Sequence, residues 1–517
     1  MRTTYALLGA FLLVLLLPFG LRLGLGTLKH DAREPGPGAA ALSLRIITPH
    51  NQDIRSVFEA AFSDWHRERF GGAVDLIYLS PGGTNDIVRY LEDLYGRYRD
   101  ANGVLLPEAD VSTGIEIVWG GGDFVFERTF KPLLKPLELD PALIRAVFPN
   151  PDLAGVPLLD PEAGTGGPKW VGTTLSSFGI VYAPAFYDLL DLPAPETWQD
   201  LARPELSGLL ALADPTRSGS AAFIYMMVIQ RAMASAEEAW LLQNPERVGA
   251  PAAELEALDS YRAALAQGWK EGMRVLLRIA ANARYFTDTG SRPCTDVGDG
   301  EAAAGVAIDF FARVFQEEIG SRRITYHAPR GATAITPDPV GVLYGTLGAR
   351  EQLANRFVEF LLSPDGQRLW NLRPGASPYV TRSLRRMPVR RDVYTDRHDW
   401  VDNENPFEAA GGFNVRPRWT RQLGRLIPIW AAAWIDSKPG LDRAYRAVLG
   451  TSDVRARERL LFELSDLPVE LSDVQGPPSA SATNSDPKLS AARQRLDWSE
   501  RFRRHYAAVA DRAGGPS

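Results

Sequence analysis

From residue 42 onward, short apolar runs alternate with longer stretches whose apolar residues recur every three or four positions. Leu44–Thr48 (LRIIT) has the length and bounding of a strand, and Asp53–Phe70 puts Val57, Phe58, Ala61, Phe62 and Trp65 on one helical face. Val74–Leu79 (VDLIYL) is a second strand. The loop Ser80-Pro81-Gly82-Gly83-Thr84-Asn85 feeds a helix over Asp86–Arg97, and Ile115–Trp119 is a third strand ending at Gly120-Gly121-Gly122-Asp123. Strand, helix, strand, helix, strand predicts a doubly wound α/β unit around a parallel sheet. In such sheets the ligand crevice lies beyond the carboxyl ends of the strands. Three of those ends carry small polar residues here: Thr48-Pro49-His50-Asn51, Ser80–Asn85 and Gly120–Asp123.

The pattern then changes and repeats. Trp170–Tyr182 (WVGTTLSSFGIVY) is extended and rich in β-branched residues, with a crossing point at Ser176-Ser177. Leu209–Ala213 is a buried strand, Asp214-Pro215-Thr216-Arg217-Ser218-Gly219-Ser220 a polar loop, and Ala221 to about Met233 a buried helix. Gly305–Asp309 is another buried strand, followed by Phe310-Phe311. These elements predict a second α/β unit over 171–319, after a first over 42–170. The chain returns to the first unit over 320–372, a helical extension follows over 373–474, and 475–517 is a linker with a terminal helix.

Ahead of these lies an apolar run, Thr3–Leu21, then a charged, Pro/Gly-rich stretch. Residues 1–28 read as a signal anchor or signal peptide, and 29–41 as a linker. An AxA-like site occurs only at Ala39-Ala40-Ala41, far from the run, so an uncleaved inner-membrane anchor and an exported body are expected. At 517 residues the chain is too long for one core. A net charge of −6 gives no argument for nucleic-acid binding. The one cysteine, Cys294, excludes an internal disulfide, and the six histidines have no metal-ligand spacing. No G-x-S-x-G, H-E-x-x-H or P-loop sequence occurs, so no enzymatic activity and no cofactor is expected.

Several segments, in this order, are similar to the extracytoplasmic substrate-binding proteins of ABC importers: LRIITPHNQDIRSVFEAAFSDW, EIVWGGG, WVGTTLSSFGIVYAPAFYD, PETWQDLARPELSGLLALADPTRSGSA, GEAAAGVAIDFFA and FVEFLLSPDGQRLW. Together they resemble the type II, two-lobe branch that includes ferric-iron, thiamine, phosphonate and sugar-phosphate binders. The resemblance covers roughly Leu44–Trp370. It implies two α/β lobes joined by hinge strands, one ligand in the cleft, and closure that a membrane permease reads. Ferric-iron members carry paired tyrosines where this chain has Phe310-Phe311. Phenylalanine offers no oxygen to a hard cation, which argues against tyrosine-based iron capture.

On that frame the loops supply the chemistry of an anion site. The helix starts after Ser80, Gly83 and Thr84, and after Thr216, Arg217, Ser218, Gly219 and Ser220, present free N–H groups and hydroxyls across the cleft. Arg217 or Arg284 would neutralise a phosphate or carboxylate. His50, Asn51 and Asp309 would read hydroxyls or an amine, Tyr285 offers a ring and a hydroxyl, and Gly121 and Ser176 line the approach. Plainer roles stand beside these. Ser218 or Ser220 caps a helix, Arg284 pairs with Asp288, Asp309 caps the next turn, and Gly120–Gly122 makes a tight turn. The expected function is capture of a small polar anion (a phosphonate, organophosphate or carboxylate) for delivery to an ABC permease. The alternatives are a ferric or other metal-ion binding protein of the same fold, or a sensory ectodomain without a transport role.

Overall fold

In the computed structural model, residues 42–514 are described except 165, 410–412, 417, 421–423 and 476–486. The expected anchor and its linker lie outside the described residues. So does most of the linker placed after residue 475.

Two lobes are built on one repeated strand order. In the first, β1 (Leu42–Ile47) pairs in parallel with β2 (Val74–Leu79) and with β3 (Ile117–Trp119). Two short strands, β4 (Asp152–Leu153) and β5 (Val156–Pro157), form a hairpin beside it. In the second lobe, β7 (Leu210–Ala213) pairs in parallel with β8 (Ala283–Thr287) and β9 (Ala304–Ile308). Each lobe is finished by one long antiparallel strand. That strand is β11 (Ile335–Val342) beside β3 in the first lobe, and β6 (Val171–Tyr182) beside β9 in the second. The order is therefore β2-β1-β3-β11 in one lobe and β8-β7-β9-β6 in the other. The two finishing strands also pair with each other, from Ile335 opposite Ser177 to Val340 opposite Val171. They are the hinge. Residues Val171–Val181 are all buried, as a strand covered on both faces must be. Two further short strands, β10 (Thr325–His327) and β12 (Met387–Pro388), also pair with β6.

The helices follow from local caps and apolar faces. In α1 (Gln52–Phe70), Asn51 Oδ1 accepts from Ile54 N at 3.1 Å, and Gly71 ends the helix with φ 81°. Next come α2 (Thr84–Gly96) and α3 (Gly219–Gln243). The last runs ten residues beyond the expected end near Met233, because small and long unbranched side chains carry it on (AMASAEEAWLLQ). It packs along α4 (Asp259–Asn282), where Gly268 and Gly272 leave no room for a side chain against the backbone of Met233 and Ile229. The rest of the scaffold is α5 (Arg292–Gly298), α6 (Asp309–Ile319) and α7 (Ala349–Leu362).

The C-terminal region does not form a separate body. Its helices α8 (Lys438–Leu449), α9 (Val454–Ser465) and α10 (Pro487–Arg512) share one apolar core with the second lobe. Trp430 and Trp434 meet Tyr225 of α3 edge-on at 5.7 and 5.9 Å, and Tyr445 Oη donates to Asn282 of α4 at 2.9 Å. The same region also reaches the first lobe. Val415 N donates to Ala154 O at 3.0 Å while Arg416 binds Glu237 of α3 at 2.8 Å.

Candidate functional site

The carboxyl ends of β1, β2 and β3 face those of β7 and β8 across the hinge, and the loops there meet. Asn85 of the first lobe donates through Nδ2 to Thr216 O of the second at 2.6 Å. Thr216 is held in turn by Asp214, whose Oδ1 accepts from its N–H at 2.8 Å and its hydroxyl at 2.7 Å. A side chain on Gly219 would come within 3.8 Å of Val125, one on Gly121 would strike Thr84, and one on Gly290 would strike the hydroxyls of Ser218 and Ser220. The seam thus brings together Gly83, Thr84, Gly121 and Thr216–Ser220. The start of α2 and the start of α3 lie on its two sides.

The polar groups of the seam are partly committed. Ser218 Oγ accepts from Ala221 N at 3.2 Å, which is a helix cap, and lies 3.1 Å from Ser220 Oγ. Gly83 N donates to Asp86 at 3.0 Å. Ser80 is exposed at the rim. Arg217 is more than half exposed and only 3.6 Å from Asp288, a loose pair that leaves its guanidinium free to turn. Asp123 sits at the end of the glycine run. Desolvation pushes its carboxyl up to about 7, and the charges of Asp338 and Glu127 add to the effect.

Beneath the seam lies a buried charge cluster. Gly120, Gly121 and Gly122 have φ of 91, 118 and 84°, conformations that L side chains rarely adopt. This turn aims two amides at Asp338 Oδ1, at 2.8 Å from Gly121 N and 3.2 Å from Gly122 N. The other oxygen meets His50 Nε2 at 3.0 Å and Arg386 Nη1 at 2.8 Å. Arg386 also donates to Ser176 Oγ at 3.1 Å and lies over the Phe310 ring at 4.4 Å. It is 1% exposed. Burial by itself would raise the Asp338 carboxyl, but Arg386 and His50 outweigh it and hold the group far below the usual carboxylate range. Burial lowers the His50 pKa, and Asp338 does not offset it, so the ring is neutral and donates to the carboxylate.

The expected site residues therefore divide into three groups. The Ser/Thr loops and Gly121 meet at the seam, with Asn51 capping α1 beside it. His50, Ser176 and Asp309 are brought close to one another in the hinge rather than to open solvent. Asp309 Oδ2 accepts from Ser177 N at 2.9 Å and Ser177 Oγ at 3.1 Å, and its Oδ1 accepts from Phe310 N. Burial raises its pKa against the pull of Arg313. Arg284 and Tyr285 are not at the seam. The strand β8 runs parallel to β7, so its first residues lie at the end away from the cleft. Arg284 pairs there with Glu301 at 3.0 Å, not with Asp288, and Tyr285 packs with the cluster around Cys294. Sequence reasoning missed Asn85, Asp338 and Arg386. An aspartate between two prolines in an otherwise apolar strand (ITPDPVGV) was the available signal for Asp338. Arg386 sits in a basic run, SLRRMPVRR, which reads as surface.

This strand order, repeated in two lobes that meet at a seam, is the two-lobe type II fold that the sequence resemblance implied. The comparisons agree with the resemblance seen in the sequence. A family model described as bacterial extracellular solute-binding protein matches residues 162–393, a stretch that takes in β12 and Arg386. Among curated relatives, the phosphoglycerate transport regulatory protein PgtC of Salmonella typhimurium is 24% identical over 199 residues, 38% of this chain and 40% of that one. The same protein of Salmonella typhi matches equally. The match thus spans about two fifths of the length of these relatives. Among solved structures, the periplasmic binding protein AfuA from Actinobacillus pleuropneumoniae, with fructose-6-phosphate bound, has a TM-score of 0.49 and 15% identity, over 77% of this chain and 99% of that one. Iron-bound HitA from Pseudomonas aeruginosa has a TM-score of 0.47 and 17% identity, over 74% and 96%. Among the described residues no group of three or more His, Cys, Asp or Glu side chains is placed to hold a metal ion, and no helix is long and apolar enough to cross a membrane.

Proposed function

We propose that this chain is an extracytoplasmic solute-binding protein that captures a small anionic solute between its lobes and delivers it to an ABC permease. The observation that carries the reading is the Asn85–Thr216 contact, which draws the starts of α2 and α3 to one seam. Unpaired helix N–H groups and the hydroxyls of Thr84, Ser218 and Ser220 meet the solute's oxygens there, and Arg217 swings onto its charge. The match to solute-binding proteins supports the transport role. The name of the Salmonella relative supports a phosphate-bearing solute. The N-terminal apolar segment holds the protein at the inner membrane.

The test is isothermal titration of the full chain with 3-phosphoglycerate, inorganic phosphate and phosphonates. Saturable binding without turnover, weakened at least tenfold by Ser218→Ala with Ser220→Ala, is the expected result. Absence of binding by every such anion overturns the reading. A second reading, a sensory ectodomain, is favoured by one point: the relative is named a transport regulatory protein. It predicts the same binding and no loss of solute uptake when the chain is deleted.

A further inference from the structure

Beside the seam, between α1 of the first lobe and α6 of the second, lies a recess of about 200 Å³. One wall is a run of apolar side chains on α6: Phe310, Phe311, Val314 and Phe315. The two leading rings lie 4.1 Å apart, and the guanidinium of Arg386 beside Phe310 helps to fix that ring. The facing wall is the first turn of α1, with Asn51, Asp53 and Ile54. Ser291 also lines the recess, and a side chain on its neighbour Gly290 would strike the hydroxyls of Ser218 and Ser220. The recess therefore lies one residue's breadth from the loop that we assign to the solute's anionic head.

Its chemistry differs from that of the loop. A cavity of about 150 Å³ lined by apolar side chains admits a benzene ring, so this one holds a ring or a branched alkyl group of similar size. Asp53 makes no ion pair among the described residues. A second anionic group placed there would face that carboxylate at close range, which is repulsive. We propose that the solute is an organic anion with a single charged head, whose apolar group, an aryl or branched alkyl, is lodged against Phe310 and Phe311. The inference rests on the reading above that the head is held at the seam. Small inorganic anions leave this wall wet and gain nothing from it.

The test compares phenylphosphonate, methylphosphonate and inorganic phosphate by titration of the full chain. Burial of the ring makes phenylphosphonate bind about ten- to a hundredfold more tightly than methylphosphonate. Phe311→Ala, at a ring that is only half buried, brings that ratio to about threefold or less. Val314→Trp, which fills the recess instead of emptying it, lowers the same ratio by the opposite change in volume, so a fault in folding does not mimic both. Ser218→Ala with Ser220→Ala weakens all three probes together. Equal affinity for the phenyl and methyl probes, or an unchanged ratio in both α6 variants, overturns the proposal and leaves the anion reading standing. Failure of all three probes to bind overturns both.

Discussion

Replacing Asp338 with asparagine is the sharpest perturbation of the hinge. The wild-type carboxylate takes four hydrogen bonds, two from Gly121 and Gly122 amides and one each from His50 and Arg386. Asparagine keeps the shape but removes the charge, and Arg386, 1% exposed, is left as a buried cation with only uncharged partners, Ser176 Oγ at 3.1 Å and His50 Nε2 at 3.2 Å. Stranding one member of a buried pair destabilises by about 3–5 kcal/mol. Arg386→Met strands the aspartate instead, but His50 and the two amides still hold it, so the loss is smaller, about 2–3 kcal/mol. Asp338→Asn with Arg386→Met leaves neither charge behind, and its destabilisation falls short of the sum of the singles by at least about 2 kcal/mol. Urea unfolding followed by tryptophan fluorescence measures this, since Trp119 and Trp370 pack around His50. The chain has more than one lobe, so the transition that moves with these variants is the one to compare. Additivity within about 0.5 kcal/mol would refute the claim that the two groups form one buried unit.

Other outcomes follow from the same geometry. Acid weakens the hinge in two windows. The lowered His50 pKa means that the unfolded chain binds the extra proton first, so stability falls as pH drops below about 6.5. The depressed Asp338 pKa adds a second loss below about pH 4, and Asp338→Asn abolishes that one in pH-dependent urea melts. Asp123, pushed up to about 7, keeps its proton in the folded chain after the unfolded chain has lost it, so stability falls as pH rises from about 4 to about 7; Asp123→Asn raises the thermal midpoint at pH 8 and changes it little below about pH 4. Gly155→Ala places a methyl 2.2 Å from Val415 O at a φ of +79°, which separates the C-terminal region from the β4–β5 hairpin. A wider spacing of the lobes in small-angle scattering is the expected readout. Trp430→Ala removes a fully buried ring shared by α3 and the C-terminal helices, with a loss of about 3–5 kcal/mol in chemical unfolding.

Much of this architecture was legible because each lobe repeats a local pattern. The strands at 44–48, 74–79, 115–119 and 209–213 and the helix over 53–70 all lie where apolar runs and a helical face put them. The hinge was legible as an unusually long β-branched segment at 170–182. Pairing between distant segments was not. Asp338 and Arg386 are 48 positions apart from each other and far from His50, and no periodicity links them. Arg284 was misplaced for a related reason. Its sequence neighbourhood resembles a loop rich in polar groups, but strand direction, set only when β8 pairs in parallel with β7, puts it at the far end. The C-terminal helices were expected from composition. Their sharing of a core with α3 and α4 depends on tertiary contact that no local pattern encodes.

The most direct test of the account is a crystal structure of the full chain grown with a saturating bound anion. Density for the anionic head is expected between Gly83–Thr84 and Ser218–Ser220, with Asn85 still bonded to Thr216. Density instead in the larger pocket of about 560 Å³ on the Tyr326–Arg330 side of the hinge, with the seam empty, would contradict it.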